Sequence, residues 1–252
     1  MTIIGVLSGG CSTASQRPGE RVDSTSQNPQ SQTTTPQSAA PVLEHGRVLV
    51  EQEPISVRKE YFDRGSTQSK AVAEEHNQSA NTHWKFQCIP KFRFDVVKMR
   101  SEGNSKDHVV VNVKLRITNV NVFLGCPVII YLPKFAKPQV VSHEDGHFKI
   151  CKTVYDRNAR SAAQAAAQAL IGKEFEGSGS SLELASQEAL HHAAQEMGRE
   201  FRSKTIDYLD RVSAYYDQLT PQHPEEKYVD ACVEAAFKAE DQMQAQNKKF
   251  KS

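Results

Sequence analysis

The pentapeptide His143-Glu144-Asp145-Gly146-His147 is the feature that most constrains the fold of this chain. It follows the pattern H-E-x-x-H, in which the two histidines stand four residues apart. Residues at that spacing lie on one face of a helix, so a helix directs both imidazoles and the Glu144 carboxylate toward one point. The same stripe continues with Val140, Ile150, Cys151 and Val154. The motif therefore predicts a helix whose buried face carries two histidines.

Histidines and a glutamate in this arrangement have a specific chemical use. Neutral imidazoles suit Zn²⁺, which in catalytic sites takes three protein ligands and leaves one position for water. A neighbouring carboxylate can accept a proton from that water. We predict His143 and His147 as zinc ligands and Glu144 as the general base. The alternative is a helix that carries these residues only for solubility, but two ionisable rings on an apolar stripe need a reason to be there.

Gly146 adds a packing expectation to the motif. Glycine is a poor helix former, and its position inside the helix predicts that another group approaches the backbone closely there.

A β-rich region precedes the motif. Residues 107–118 alternate between apolar and polar side chains with a period of two, which is typical of a half-buried strand. Similar runs occupy residues 84–99 and 127–132, so we expect three or four antiparallel strands. Pro133 and Pro138 should end the last strand and precede the helix.

Long helices are expected after the strands. The metal helix should run from about Gln139 through an alanine-rich stretch to Ile171 and end at Gly172. A flexible Gly/Ser loop at 177–181 should follow, and then two more helices at about 181–216 and 225–246. The predicted fold class is α+β, with a small antiparallel sheet packed on long helices, one of which is a zincin-like metal helix.

Three segments carry a resemblance to a known family. They are the run from Tyr131 to Ile150, the alanine-rich stretch after it, and Tyr216-Asp217-Gln218-Leu219-Thr220. Over about residues 82–224 the chain resembles a bacterial family described as secreted zinc-dependent protease-like proteins. The resemblance implies a zinc-dependent metallopeptidase that hydrolyses peptide bonds in a peptide or protein substrate.

The third zinc ligand is left open by the sequence. In the family pattern a histidine stands two residues after the threonine and is followed by glycine, whereas here Gln222 takes that position and His223 comes next. A shift of one residue in a loop would make His223 the third ligand. In some zincins a second helix supplies this ligand, and the helix expected at 181–216 carries Glu188, His191, His192 and Glu196.

Two further segments have alternative interpretations. Tyr216 could donate a hydrogen bond to a developing oxyanion, or it could only anchor the end of its helix. The strand at 128–132 could be a sheet edge that binds extended substrate through main-chain hydrogen bonds, or an ordinary sheet strand.

The N-terminal region differs in composition from the rest. Residues 1–11 resemble a truncated lipoprotein signal in which Cys11 would be lipidated, and residues 12–42, rich in Ser, Thr, Gln and Pro, should form a disordered tether. An ordinary disordered N-terminus is the alternative. Residues 43–81 are an uncertain lead-in with short strands near Val48 and Val57, and residues 82–248 form the predicted zincin-like domain.

Location and partners follow from these features. A lipid anchor predicts the bacterial cell envelope, in the periplasm or at the outer membrane, and a secreted protein is the alternative. The formal charge of +1 and the dispersed basic residues give no support for nucleic-acid binding. No run of eighteen apolar residues is present, so membrane contact is expected only through the anchor.

The sequence also allows disulfide pairing. Besides Cys11 the chain has Cys88, Cys126, Cys151 and Cys232, and a bridge from Cys151 to Cys232 would hold the helices together.

A competing function is also consistent with the sequence. It is a non-catalytic envelope interaction module with a structural or degenerate metal site.

Overall fold

The computed structural model describes residues 46–63, 80–102, 109–220 and 225–251. Cys11, the predicted tether and His223 lie outside these ranges. The strands in chain order are β1 (Val48–Gln52), β2 (Ser56–Phe62), β3 (Asn81–Trp84), β4 (Gln87–Glu102), β5 (Val110–Gly125), β6 (Pro127–Pro133) and β7 (Glu174–Gly179). The helices are α1 (Pro138–Val154), α2 (Arg160–Gln168), α3 (Leu182–Lys204), α4 (Ile206–Leu219) and α5 (Glu226–Lys251).

The larger sheet is built around the long hairpin of β4 and β5. These strands pair antiparallel, β1 pairs parallel with the second half of β5, and β7 pairs antiparallel with its first half. Of the alternating residues predicted to be buried, Val111, Val113, Leu115 and Ile117 are buried in β5, whereas Val109 precedes the strand and is exposed. Burying each such side chain contributes about 1.5–3 kcal/mol, so the alternation fixes which face of β5 packs against the helices.

The smaller sheet has the strand order β2-β6-β3. β6 is its central strand, because β2 pairs parallel with one side and β3 pairs antiparallel with the other. Of the two interpretations of residues 128–132, the substrate-binding edge is therefore wrong and the ordinary sheet strand is confirmed, since both edges of β6 are already paired.

The architecture is mixed α/β, with two small sheets of mixed strand direction packed against a helical layer. The expected single antiparallel sheet is wrong in this respect. β1 and β2 come from the predicted lead-in and pair parallel with β5 and β6. Alternation in the sequence predicts that a strand has a buried face, but it carries no information on the direction of the strand beside it.

The predicted metal helix is longer than one regular α-helix. α1 begins at Pro138, as expected, and passes through a π-helical turn at Tyr155–Ala159 into α2, so that helix continues to Gln168. Gly172 lies beyond it with φ +79, and its amide donates to the carbonyl of Ile117 at 2.8 Å. Regular helix therefore ends three residues before the expected Ile171, and Gly172 occupies the turn that follows, where the left-handed backbone favours glycine.

Most of the Gly/Ser segment expected to be a flexible loop is instead part of strand β7, which ends at Gly179. A Cβ atom on Gly177 would lie only 2.1 Å from the carbonyl oxygen of Ala185, so glycine lets α3 pack directly on the strand. Ser181 then caps α3 by accepting a hydrogen bond from the Leu184 amide at 3.2 Å.

The second long helix is interrupted. Thr205, with φ −123 and ψ −78, separates α3 from α4, and its hydroxyl donates to the Phe201 carbonyl at 2.7 Å. α4 and α5 pack against α1. Among the helices that the structure describes, none is both long and apolar enough to cross a bilayer.

The four described cysteines are free thiols. The Sγ atom of Cys151 lies 3.8 Å from that of Cys126, whereas Cys232 is half-buried on α5. The expected bridge between Cys151 and Cys232 is therefore wrong, because Cys151 faces the start of β6.

Candidate metal centre

α1 directs His143, Glu144 and His147 into the interior. The side chains of His143 and His147 are 7 % and 11 % exposed, and Glu144 is buried as well. They lie on the same helix face as Ile150 and Cys151, which matches the stripe expected from the sequence. The helix therefore holds two imidazoles and one carboxylate where each needs a polar or charged partner.

Asp217 from α4 completes the cluster. Its Oδ1 atom lies 2.9 Å from Nε2 of His147 and 3.3 Å from Nε2 of His143. The two Nε2 atoms are 3.2 Å apart. Within the part of the chain that the structure describes, this is the only group of three or more His, Cys, Asp or Glu side chains whose ligand atoms converge in this way.

The triangle formed by these three atoms has the dimensions of a metal-binding face. Ligands about 2.0–2.1 Å from a tetrahedral ion are separated by about 3.3–3.4 Å from one another, because the edge of a tetrahedron is about 1.63 times the centre-to-corner distance. The observed separations of 2.9, 3.2 and 3.3 Å are close to this value. His143, His147 and Asp217 could thus bind a metal ion and leave one position open.

Thr220 fixes the orientation of His143. The threonine hydroxyl donates its hydrogen to the Tyr216 carbonyl at 2.7 Å, and its oxygen lies 3.2 Å from Nδ1 of His143. Because the only hydroxyl hydrogen is used, the oxygen accepts from Nδ1, and the neutral imidazole then has its lone pair on Nε2. That lone pair faces Oδ1 of Asp217 and Nε2 of His147. A proton or a metal cation between these three atoms would make their close contact favourable.

His147 is oriented differently. Its Nδ1 atom is buried and has no hydrogen-bond partner among the described residues. Its ring instead packs edge-to-face against the rings of His143 and Tyr216.

The charges at the site affect the pKa of both carboxylates. Burial alone would raise the pKa of Asp217, but hydrogen bonds from His143 and His147 outweigh it and hold the pKa well below its ordinary value. Burial raises the pKa of Glu144, and a hydrogen bond from Thr82 offsets part of that effect. Asp217 therefore remains an anion that favours a bound cation.

Thr82 connects Glu144 to the smaller sheet. Its hydroxyl, on β3, lies 2.7 Å from Oε2 of Glu144 and 3.1 Å from the carbonyl oxygen of the same residue. The carboxylate is thus held in one orientation beside the two imidazoles.

Tyr216 packs against Gly146, which confirms that another group approaches the helix there. A Cβ atom on Gly146 would lie 2.1 Å from the tyrosine Oη and 2.3 Å from Cζ. Tyr216 is fully buried, and its ring stacks near His143 with centroids 5.2 Å apart. These contacts support the interpretation of Tyr216 as a helix anchor.

The other candidate ligands have different partners. Glu188 accepts from the Ser178 amide, His192 Nδ1 lies 3.1 Å from the Glu176 carbonyl oxygen, and Glu196 binds Lys173. His191 contacts Gln195 on its own helix. The structure therefore places these α3 residues beside β7 and on the surface of α3, and does not bring them to the His143–His147 pair.

Asp217 was not among the predicted ligands, although the sequence contained a signal for it. The Tyr-Asp-x-x-Thr element at the end of α4 makes three contacts with α1: Tyr216 packs on Gly146, Asp217 meets both imidazoles, and Thr220, the residue after α4, orients His143. The carboxylate is 45 % exposed, so the site opens to solvent at α4.

A cavity of about 470 Å³ lies between β4, β5, β7 and α3, away from this site. None of the cluster residues lines it.

Comparisons with protein families, with characterised proteins and with solved structures find no match to this chain.

Proposed function

We propose that this protein is a zinc-dependent metallopeptidase of the zincin type, in which His143, His147 and Asp217 bind the metal and Glu144 is the general base. The observation that carries the proposal is the convergence of the two Nε2 atoms and the Asp217 oxygen at separations of 2.9–3.3 Å. The order of strands, metal helix and second ligand helix, and the resemblance to bacterial secreted zinc-dependent protease-like proteins, support the same proposal. Asp217 takes the third position in the proposed ligand set, which the sequence left open.

The chemistry divides between the metal and the side chains. Zinc, when bound, would polarise a carbonyl group and lower the pKa of water at its open position. Glu144 then accepts a proton and passes it to the leaving amine. Thr82 orients the Glu144 carboxylate, and Thr220 keeps the His143 lone pair directed at the metal position. Substrate would approach from the solvent side of Asp217, where the cluster is open.

The first test separates metal binding from hydrolysis. Purified full-length protein should contain one zinc per chain by elemental analysis and should cleave a fluorogenic peptide library or denatured casein. Glu144→Gln should retain zinc and lose at least about 10²-fold in rate, because proton transfer by a positioned base is worth that much. His143→Ala, His147→Ala and Asp217→Asn should lose zinc.

Matched control variants are available on the same fold. His191→Ala and Asp230→Asn change exposed residues of the same types and should leave zinc content and rate unchanged. His223→Ala should retain zinc, since three ligand atoms already converge without it. Cleavage by Glu144→Gln at the wild-type rate would contradict the proposed mechanism.

A second candidate, a structural metal site in a non-catalytic interaction module, is favoured by one observation. Glu144 is only 3 % exposed and is bound by Thr82, as a structural carboxylate would be. Stoichiometric zinc, no cleavage of any substrate by the wild type, and a lower melting temperature after zinc removal would support the module and contradict the enzyme.

A further inference from the structure

Two buried thiols face each other between the metal helix and the smaller sheet. Cys126 stands between β5 and β6 and is 2 % exposed, and Cys151 is fully buried on α1, one turn after His147. Their Sγ atoms are 3.8 Å apart, which is a van der Waals or weak hydrogen-bond contact.

Bond formation needs only a small movement. A disulfide bond is about 2.0 Å long, so each sulfur would move by about 0.9 Å toward the other. The contact that this movement changes is the weak thiol–thiol interaction itself.

We propose that Cys126 and Cys151 form a disulfide when the chain folds in the presence of a thiol–disulfide oxidant. One cysteine thiolate attacks the oxidant disulfide and releases the first oxidant thiolate, leaving a mixed disulfide. The second cysteine attacks the protein sulfur of that mixed disulfide and releases the second oxidant thiolate. The two cysteines lose two electrons and two protons, and the oxidant is reduced to two thiols.

The order of events follows from burial. The contact with Cys126, together with burial, raises the pKa of the Cys151 thiol, so the folded protein holds it in the unreactive protonated form. The bond therefore forms while the chain folds and the thiols are still accessible.

The bond would join two elements that meet at the candidate metal centre. It attaches α1, which carries His143, Glu144 and His147, to the residue just before β6, whose neighbour β3 carries Thr82. The proposal does not depend on hydrolysis or on metal binding.

The test is a disulfide map of the refolded full-length chain. Protein unfolded in guanidinium is refolded in a reduced/oxidised glutathione couple, alkylated with N-ethylmaleimide and digested for mass spectrometry. We expect one cross-linked peptide pair joining Cys126 to Cys151, with Cys88 and Cys232 alkylated. Cys232→Ser should retain the cross-link, because Cys232 has no part in it.

A stability measurement gives a second readout. Closing the loop between the two cysteines should raise the melting temperature of the oxidised protein by roughly 6–12 °C over protein refolded with a phosphine reductant. Cys126→Ala should show no difference between the two conditions. Alkylation of both Cys126 and Cys151 in the wild type, or a bridge from Cys151 to Cys232 or Cys88, would overturn the proposal, whether or not the protein is a hydrolase.

Discussion

Thr220 acts on the candidate metal centre through a single hydrogen bond. Its hydrogen is donated to the Tyr216 carbonyl, so its oxygen can only accept from His143. This arrangement selects the tautomer that presents a lone pair at Nε2. A residue that contacts no metal can in this way determine how well a ligand binds it.

Thr220→Val should therefore lower zinc affinity by roughly 10–100-fold while retaining the fold, because valine has the same shape but cannot accept the hydrogen bond. The measurement is competition for zinc with a chromophoric chelator. Thr205→Val is the matched control, since Thr205 is equally buried and makes the same hydrogen bond to the carbonyl four residues earlier, away from both histidines. Equal zinc affinity in the two variants would show that Thr220 has no orienting role.

Only some residues of the site could be predicted from the sequence. The spacing of His143, Glu144 and His147 is local to one helix, so their shared face could be predicted. Asp217 lies 70 positions beyond His147 along the chain, and its contact depends on how α4 packs on α1. Glu188 and Glu196 were also possible ligands, and the Tyr-Asp-x-x-Thr element that contains Asp217 does not by itself identify a metal ligand.

Gly146 and Tyr216 set the distance between α1 and α4. The tyrosine ring lies directly on the helix backbone, in the space that a side chain at position 146 would occupy. The two helices can therefore approach closely enough for Asp217 to reach both imidazoles.

Gly146→Ala should destabilise the protein, although the same change in an exposed helix interior stabilises by about 1 kcal/mol. The added methyl group overlaps Tyr216 Oη and Cζ, so the helices must separate. We expect the melting temperature to fall and zinc affinity to weaken.

A double-mutant cycle with Tyr216→Ala checks the cause of this effect. If the overlap is responsible, Gly146→Ala will cost much less in the Tyr216→Ala background, with a coupling of about 0.5–3 kcal/mol in urea denaturation. Additive changes in the free energy of unfolding would contradict the proposed overlap.

At the level of elements, prediction succeeded where the pattern was local. The alternating runs became β4, β5 and β6, and the alanine-rich segment became helix. β7 was missed because its glycines and serines are turn signals when read without a neighbour. Gly177 is needed there only because α3 packs on it, a requirement that appears only once the tertiary structure is known.

The stability of the whole molecule should fall at alkaline pH. Burial raises the pKa of the Cys88 thiol from 9.0 to about 12. Between these pH values the unfolded chain loses the Cys88 proton, whereas the folded protein keeps it. The contribution of this thiol to the free energy of unfolding is therefore fully present below pH 9 and is lost as pH rises toward 12. The expected loss for this one group is about 1.4 kcal/mol per pH unit.

Urea denaturation at pH 8 and pH 10.5 measures this effect. The free energy of unfolding should fall from pH 8 to pH 10.5 in both the wild type and Cys88→Ala. The decrease should be about 2 kcal/mol smaller in Cys88→Ala, because this variant lacks the thiol. Cys232→Ala, at a half-buried position on α5, should lose as much as the wild type. Identical losses in the wild type and Cys88→Ala would rule out a contribution from this thiol.

The parallel pairing of β1 with β5 and of β2 with β6 has a consequence for how the chain is made. On the ribosome, residues 48–62 emerge well before their partner strands at 110–133, so neither sheet can be completed until that later segment has left the exit tunnel. A fragment that begins near residue 82 would leave β5 and β6 with bare backbone edges, which are templates for self-association. Such a fragment should aggregate during expression, whereas one that begins near residue 46 should stay soluble.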